Sequence, residues 1–329
     1  MTTLDIRGLR LRLPHTARPV LDGVDLAVGP RETVALVGES GSGKTLTSRT
    51  VLRLLPEGAV AEGTVEVAGQ DVLTMTAKEL RDLRTRTAAM VFQDPRAAIN
   101  PLRRIGDFLT ESVVLNKVLT SAAAEARAVE LLEAVGLTSA ALRRYPSQVS
   151  GGMLQRVMIA GSLMGDPKLL LADEPTTALD VTTQAEVVSL LGDMRERFGT
   201  ALLFVTHDLG LAAAISDRVS VMYAGRIVES GPAAELFAHP RHPYTKALLD
   251  STPDPDAPPG RLTAIEGQPP DLREELSGCP FAPRCVLATA VCTEQAPQAA
   301  PAPGNPAHTA ACHHSDRLGT RLEGETVDA

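Results

Sequence analysis

Apolar positions along the chain fall into short strand-length runs separated by longer stretches with helical spacing. Thr33–Val37 is short, apolar and rich in Val, and Gly38 stops it, which predicts a buried parallel strand feeding a loop. Residues 44–55 have helical spacing that ends at Pro56. Residues 63–67 and 88–92 read as further strands, and helical periodicity then dominates residues 101–164, including a helix over 122–135 closed by Gly136. Strand patterns return at 168–173, Ala201–Thr206 and 219–223, with a helix over 182–198 between the first two. Strands alternating with helices predict a mostly parallel α/β sheet. The all-helical middle reads as an insertion.

Composition sharpens this picture. Of the 329 residues 44% are hydrophobic but only 3% are aromatic, and Trp is absent, so the core must be built from Leu, Val, Ala and Ile. The net charge of −8 does not favour nucleic acid as a partner. No apolar run approaches the roughly 20 residues needed to cross a bilayer, and residues 1–10 carry charge on both sides of Ile6, unlike a signal peptide. The expectation is a cytoplasmic chain that meets a membrane through a partner. After about Asp250 the composition changes: residues 251–260 are rich in Pro and Asp, as a linker is, and a Pro- and Ala-rich tail follows.

Gly38-Glu39-Ser40-Gly41-Ser42-Gly43-Lys44-Thr45 has the spacing of a phosphate-binding P-loop, in the required place between a strand and a helix. Its glycines let successive backbone N–H groups converge on phosphate oxygens. The helix opening at Lys44 adds the positive end of its dipole. Lys44 is placed for the β- and γ-phosphates, and the Thr45 hydroxyl for Mg²⁺. The apolar run 168–172 then delivers Asp173 and Glu174 at the strand edge where open α/β sheets bind ligands. Asp173 is expected to hold Mg²⁺, and Glu174 to act as general base or to orient the attacking water. His207 ends another strand of the same sheet, which brings it towards the γ-phosphate.

Val149-Ser150-Gly151-Gly152-Met153-Leu154-Gln155-Arg156 resembles the signature of the ABC ATPases, usually Leu-Ser-Gly-Gly-Gln. Read physically, Ser150, Gly151 and Gly152 open a helix and form a second phosphate-binding end, for which a single nucleotide has no use. The resemblance implies head-to-tail pairing, with the signature of one subunit closing over the nucleotide of the other. It further implies that Gln93 is the Q-loop glutamine that senses Mg²⁺ and links to a transmembrane partner, that Ala178-Leu179-Asp180 is the D-loop, and that Glu174 and His207 are the catalytic glutamate and switch histidine. Met153 stands where the family usually has Gln, as is common in its peptide-importer branch. Residues 2–40 contain no Phe, Tyr or Trp to stack on adenine, leaving Leu13 or His15 as substitutes. The fold class expected is an α/β P-loop NTPase core (residues 1–93 and 165–250) with an inserted α-helical subdomain (94–164) and a small Cys-rich C-terminal extension (251–329).

His242-Pro243-Tyr244-Thr245 and the Cys-bearing tail resemble the C-terminal region of oligopeptide, dipeptide and nickel importer ATPases. All four cysteines, Cys279, Cys285, Cys292 and Cys312, lie here, at intervals of five, six and nineteen residues with no Cys-x-x-Cys knuckle. Four thiolates suit Zn²⁺ or an iron–sulfur cluster, and the family resemblance implies a [4Fe–4S] cluster that ties the tail together. The function implied is an ATP-hydrolysing subunit powering di- or oligopeptide import, with nickel-chelate import or a soluble ABC ATPase outside transport as alternatives. Its implied partners are a second, related ATPase chain, two transmembrane permease subunits and an extracytoplasmic substrate-binding protein, with the chain itself peripheral on the cytoplasmic face.

Overall fold

The computed structural model describes residues 2–177, 179–252 and 265–318. The chain begins with β1 (Leu4–Arg12), β2 (Leu21–Val28) and β3 (Thr33–Val37), then α1 (Lys44–Val51), β4 (Val60–Val67), β5 (Gln70–Asp71), α2 (Ala77–Arg86) and β6 (Ala88–Val91). Four helices follow: α3 (Pro95–Ala98), α4 (Ile105–Leu115), α5 (Ser121–Ala134) and α6 (Gly151–Ser162). Next come β7 (Leu169–Asp173), α7 (Val181–Phe198), β8 (Ala201–Thr206), α8 (Leu209–Ile215), β9 (Arg218–Tyr223) and β10 (Arg226–Pro232). The C-terminal part holds α9 (Ala233–Ala238), α10 (Pro243–Asp250), α11 (Ala290–Glu294), β11 (Ala300–Ala302) and β12 (Asn305–Ala310).

Among the described residues the strands form two sheets. The larger has the order β11-β12-β10-β9-β3-β8-β7-β6. Its β9, β3, β8, β7 and β6 run parallel. Every residue of β3, β7 and β8 is buried. That explains why these strands read as continuous apolar runs: helices cover both faces of a parallel sheet. The smaller sheet, β2-β1-β4-β5, is antiparallel.

The pattern analysis assigned no strand before Thr33, and the structure explains why. In β1 the buried residues Leu4 and Ile6 keep one phase, and Leu9 and Leu11 keep the other. The phase slips at Gly8, where φ is 57° and the register with both neighbouring strands shifts. A bulge of this kind breaks the period of two that would reveal a strand. The helix expected over 44–55 ends earlier, at Val51. Arg53 takes a left-handed φ of 50°, and the Arg84 guanidinium donates to the Leu52 carbonyl at 2.6 and 2.9 Å, satisfying the end of the helix.

The tail does not stand apart. β12 pairs with β10 through Glu229–Ala310 and Ser230–Thr309, so the last described strands extend the main sheet. Glu229, 1% exposed, anchors this junction. Its carboxylate accepts from the Arg241 and His242 amides at 2.7 and 2.9 Å and faces His308 Nε2 at 2.7 Å.

Candidate functional site

The C-terminal ends of β3, β7, β8 and β6 bring the sequence-predicted residues to one edge of the sheet. The P-loop leaves β3 and enters α1 at Lys44, and two of its glycines are required by geometry. Gly38 has φ 153°, and a Cβ there would lie 2.2 Å from the Met222 carbonyl oxygen. Gly43 has φ 111°, and a Cβ would meet the Leu21 side chain at 2.7 Å. The loop therefore lies flat against β9 and β2 with no room for side chains at these points. Ser40 and Gly41 lie between them, Gly41 with φ 79°. Ser42 is buried, and its hydroxyl has no protein partner.

Lys44 is almost wholly buried and bonds its own loop, with Nζ donating to Gly38 O at 2.8 Å and Glu39 O at 3.0 Å. Burial lowers its pKa below the ordinary lysine range, against the pull of Glu174, Asp173 and Glu39. Thr45 Oγ1 donates to Asp173 Oδ1 at 2.9 Å. Asp173 is 1% exposed, and burial raises its pKa despite that hydrogen bond and nearby Arg49. Its other oxygen, Oδ2, is buried and has no hydrogen-bond partner.

Glu174 is the point on which the site converges. It follows β7 with φ 47°, an unusual backbone conformation for a residue with a Cβ, held by its N–H donating to Val205 O at 2.9 Å. Its Oε2 accepts from Gln93 Nε2 at 3.3 Å and Thr177 Oγ1 at 3.0 Å, and His207 Nδ1 lies 3.5 Å away. Oε1 is 3.8 Å from Lys44 Nζ. Carboxylate, imidazole, amide and ammonium thus meet at one end of the sheet, supplied by four different strand ends.

Ser150, Gly151 and Gly152 lie elsewhere. Ser150 caps α6, its Oγ accepting from Met153 N at 3.2 Å. Among the described residues no hydrogen bond or ion pair links this helix end to the P-loop, Asp173 or Glu174. Asp180 caps α7 by accepting from Thr183 N at 3.0 Å, and these hydrogen bonds lower its pKa. Ala178 of the expected D-loop lies outside the described residues.

Residues 21–177 match the family model described as "ABC transporter", and residues 228–292 match "Oligopeptide/dipeptide transporter, C-terminal region". The oligopeptide transport ATP-binding protein AppD of Bacillus subtilis is 42% identical over 302 residues, covering 90% of this chain and 92% of that protein. The chain belongs to the ABC transporter ATP-binding proteins. OppD of Haemophilus influenzae, also an oligopeptide transport ATP-binding protein, is 42% identical over 88% of this chain and 91% of its own length. Among solved structures, the dimeric post-hydrolysis state of the ATP-binding cassette MJ0796 bound to ADP and Pi aligns with a TM-score of 0.62 at 26% identity, covering 70% of this chain and 98% of that one. This ABC protein is thus an ATP-hydrolysing transport ATPase with the α/β P-loop cassette fold. Membership implies membrane permease partners and a dimeric ATPase. Among the described residues no helix is long and apolar enough to cross a membrane.

The iron–sulfur expectation, and zinc with it, is corrected here. Among the described residues no group of three or more His, Cys, Asp or Glu side chains is arranged to hold a metal ion. Cys279, Cys285, Cys292 and Cys312 do line one cavity, but its volume is about 10 Å³, no more than a single water occupies. Burial raises the Cys279 and Cys285 thiols above their ordinary range and pushes Cys312 up to about 11, which favours neutral thiols over the thiolates that metals need. The thiols behave as packing groups. Phe281, between the first two, packs edge-on against Tyr223 and tilted against Tyr244, both at ring distances of 5.3 Å.

Sequence reasoning missed three further residues at the site. Thr177 bonds Glu174. Tyr244 and Arg284 both grip Glu39, the Tyr244 hydroxyl accepting from its amide at 2.8 Å and Arg284 pairing with its carboxylate. No periodicity or motif spacing connects residues 39, 244 and 284. Only the folded chain does.

Proposed function

We propose that this ATPase powers import of di- or oligopeptides as one member of a head-to-tail pair attached to transmembrane permeases at the cytoplasmic face. The convergence of Gln93, Thr177, His207 and Lys44 on Glu174 carries the catalytic part of this reading. The peptide assignment is supported by the match of residues 228–292 and by relatives that are oligopeptide transport ATP-binding proteins.

The amides of Gly41, Ser42, Gly43 and Lys44, with the Lys44 ammonium, bind the ATP phosphates at the start of α1. Thr45 and Asp173 are the residues that would hold Mg²⁺. The fit is good, because both offer hard oxygen ligands and Asp173 Oδ2 is buried with no hydrogen bond. The ion, when bound, neutralises charge on the phosphates. Gln93 and His207 orient water beside Glu174, whose carboxylate takes its proton as the water oxygen bonds the γ-phosphorus and the bond to the bridging oxygen breaks. ADP and phosphate result. Ser150, Gly151 and Gly152 serve the partner subunit's ATP, since they lie apart from the chain's own P-loop.

The helices between β6 and β7 act as the inserted subdomain that passes closure to the permease. Leu102 and Leu115, 85% and 72% exposed, give this layer apolar surface for such a partner. An extracytoplasmic binding protein would deliver the peptide, and a related chain would supply the second ATPase. Proteoliposomes containing the chain, its permeases and the binding protein test this. Uptake of a labelled oligopeptide should require ATP and vanish with Lys44→Ala. Uptake that persists in that variant, or failure of the chain to co-purify with membrane subunits, would refute the reading.

A further inference from the structure

The part of the chain beyond the core sheet returns to the P-loop and to the loop between β1 and β2. Arg284, whose side chain is 3% exposed, places Nη1 2.7 Å and Nη2 2.9 Å from the two carboxylate oxygens of Glu39. This is a forked, two-bond pairing, the strongest form of such a contact. The rest of the guanidinium donates to Tyr223 Oη at 3.2 Å, Ile265 O at 3.2 Å and Glu266 O at 2.9 Å. Arg284 is thereby fixed by both the sheet and the tail.

Glu39 in turn is held at three points. Its amide donates to Tyr244, its carbonyl accepts from Lys44, and its carboxylate meets Arg284. Two of those three partners lie outside the P-loop. The loop between β1 and β2 is pinned by the same tail. Ala17 N and Arg18 N donate to Leu272 O at 3.0 and 3.4 Å, and the Arg18 side chain donates to Asp271 O and Pro270 O at 3.2 and 2.9 Å.

Glu39 carries the single acidic charge within Gly38–Thr45. A carboxylate in a loop that receives a polyphosphate opposes binding unless a cation cancels it, and the opposition is strong where water is scarce. Lys44 does not serve this purpose through its side chain, because it bonds the backbone carbonyl of Glu39 rather than the carboxylate.

We propose that Arg284 is a positioning residue for nucleotide binding: acting through Glu39, it cancels the P-loop's own negative charge so that the loop accepts the phosphates of ATP. The C-terminal region then sets ATP affinity as well as marking the transporter class. This inference rests on the reading that Gly38–Thr45 binds the phosphates of ATP.

The test measures the Kd for ATP with Mg²⁺ on the full chain by titration calorimetry. Arg284→Gln should weaken binding about tenfold, or about 1.4 kcal/mol, and the double variant Glu39→Gln, Arg284→Gln should return to within about threefold of the unaltered chain. That rescue separates a charge-cancelling role from a purely structural one, which removal of Glu39 would not repair. Affinity of Arg284→Gln within about twofold of the unaltered chain, or a double variant as weak as the single one, would overturn the proposal. If Arg284→Gln does not fold, Arg284→Lys keeps the charge and loses the fork. It should bind ATP within about threefold of the unaltered chain, and a loss of about tenfold or more would overturn the proposal. Lys44→Ala separates the two readings. Full ATP binding there sinks the P-loop assignment, whereas its loss alongside unaltered Arg284→Gln sinks this inference alone.

Discussion

Thr45 in the first turn of α1 and Asp173 at the end of β7 are joined by a 2.9 Å hydrogen bond across 128 residues of sequence. The bond satisfies one oxygen of a carboxylate whose other oxygen is buried with no hydrogen bond, the Arg49 Nε lying 3.8 Å from it. An acid kept in that state costs stability that a fold would not accept without a use for it. Asp173→Asn keeps the acceptor facing Thr45 and removes the buried charge. Without nucleotide or Mg²⁺, it should gain about 1 kcal/mol, raising Tm by about 2–4 °C, while abolishing ATP hydrolysis. Calorimetric melting beside a phosphate-release assay checks both halves, and a lower Tm would count against the account.

His242 provides a pH test of the docking of α10. It is 1% exposed, with Nδ1 accepting from Tyr244 N at 3.1 Å, and burial pushes its pKa down to about 3. In the unfolded chain the pKa is about 6.5. Above that value the imidazole is neutral in both states and adds no pH dependence. As pH falls below it, the unfolded chain takes up a proton that the folded chain refuses, and stability drops by about 1.4 kcal/mol per unit until about pH 3. Urea unfolding at pH 7 and pH 5 should show the unaltered chain losing about 2 kcal/mol more than His242→Gln. Equal losses would contradict the assignment.

How far the sequence revealed the molecule depended on whether the signal was local. Strand β3 and the start of α1 are bounded by Gly38 and Lys44, and each is a short-range pattern of chain and turn. β7 and β8 were legible because both faces are buried, so their apolar runs are unbroken. β1 was not, because the bulge at Gly8 inverts its phase. Asp173, Glu174 and His207 could be singled out because each stands at the end of a strand of one sheet, and Gln93 only through its resemblance to the family's Q-loop. Arg284 could not, because its role exists only through Glu39, 245 residues away. The cysteines misled for the reverse reason: they cluster in sequence, whereas among the described residues the fold builds no metal-holding group from them, and burial raises the Cys279, Cys285 and Cys312 thiols.

The junction between β10 and β12 should be fragile to a single substitution. His308 Nε2 and Glu229 Oε1 are 2.7 Å apart, and both side chains are 0% exposed. His308→Ala leaves the Glu229 carboxylate buried with only the Arg241 and His242 amides as donors. Removing one partner of a buried hydrogen bond to a side chain of this kind costs about 1–3 kcal/mol. Urea unfolding should register a loss of that size, and limited proteolysis should cut first near β12. A loss below about 1 kcal/mol, the range of an exposed pair, would mean that the contact does not hold the tail.

The central claim is that Glu174 is where ATP is hydrolysed. Glu174→Gln keeps the shape of the side chain and its contacts with Gln93 and Thr177 while removing its ability to take a proton. Equilibrium ATP binding and single-turnover hydrolysis, measured on the same preparation, separate the two roles. The account predicts ATP affinity within about threefold of the unaltered chain and hydrolysis slower by about 100-fold or more. Hydrolysis at close to the unaltered rate would contradict it.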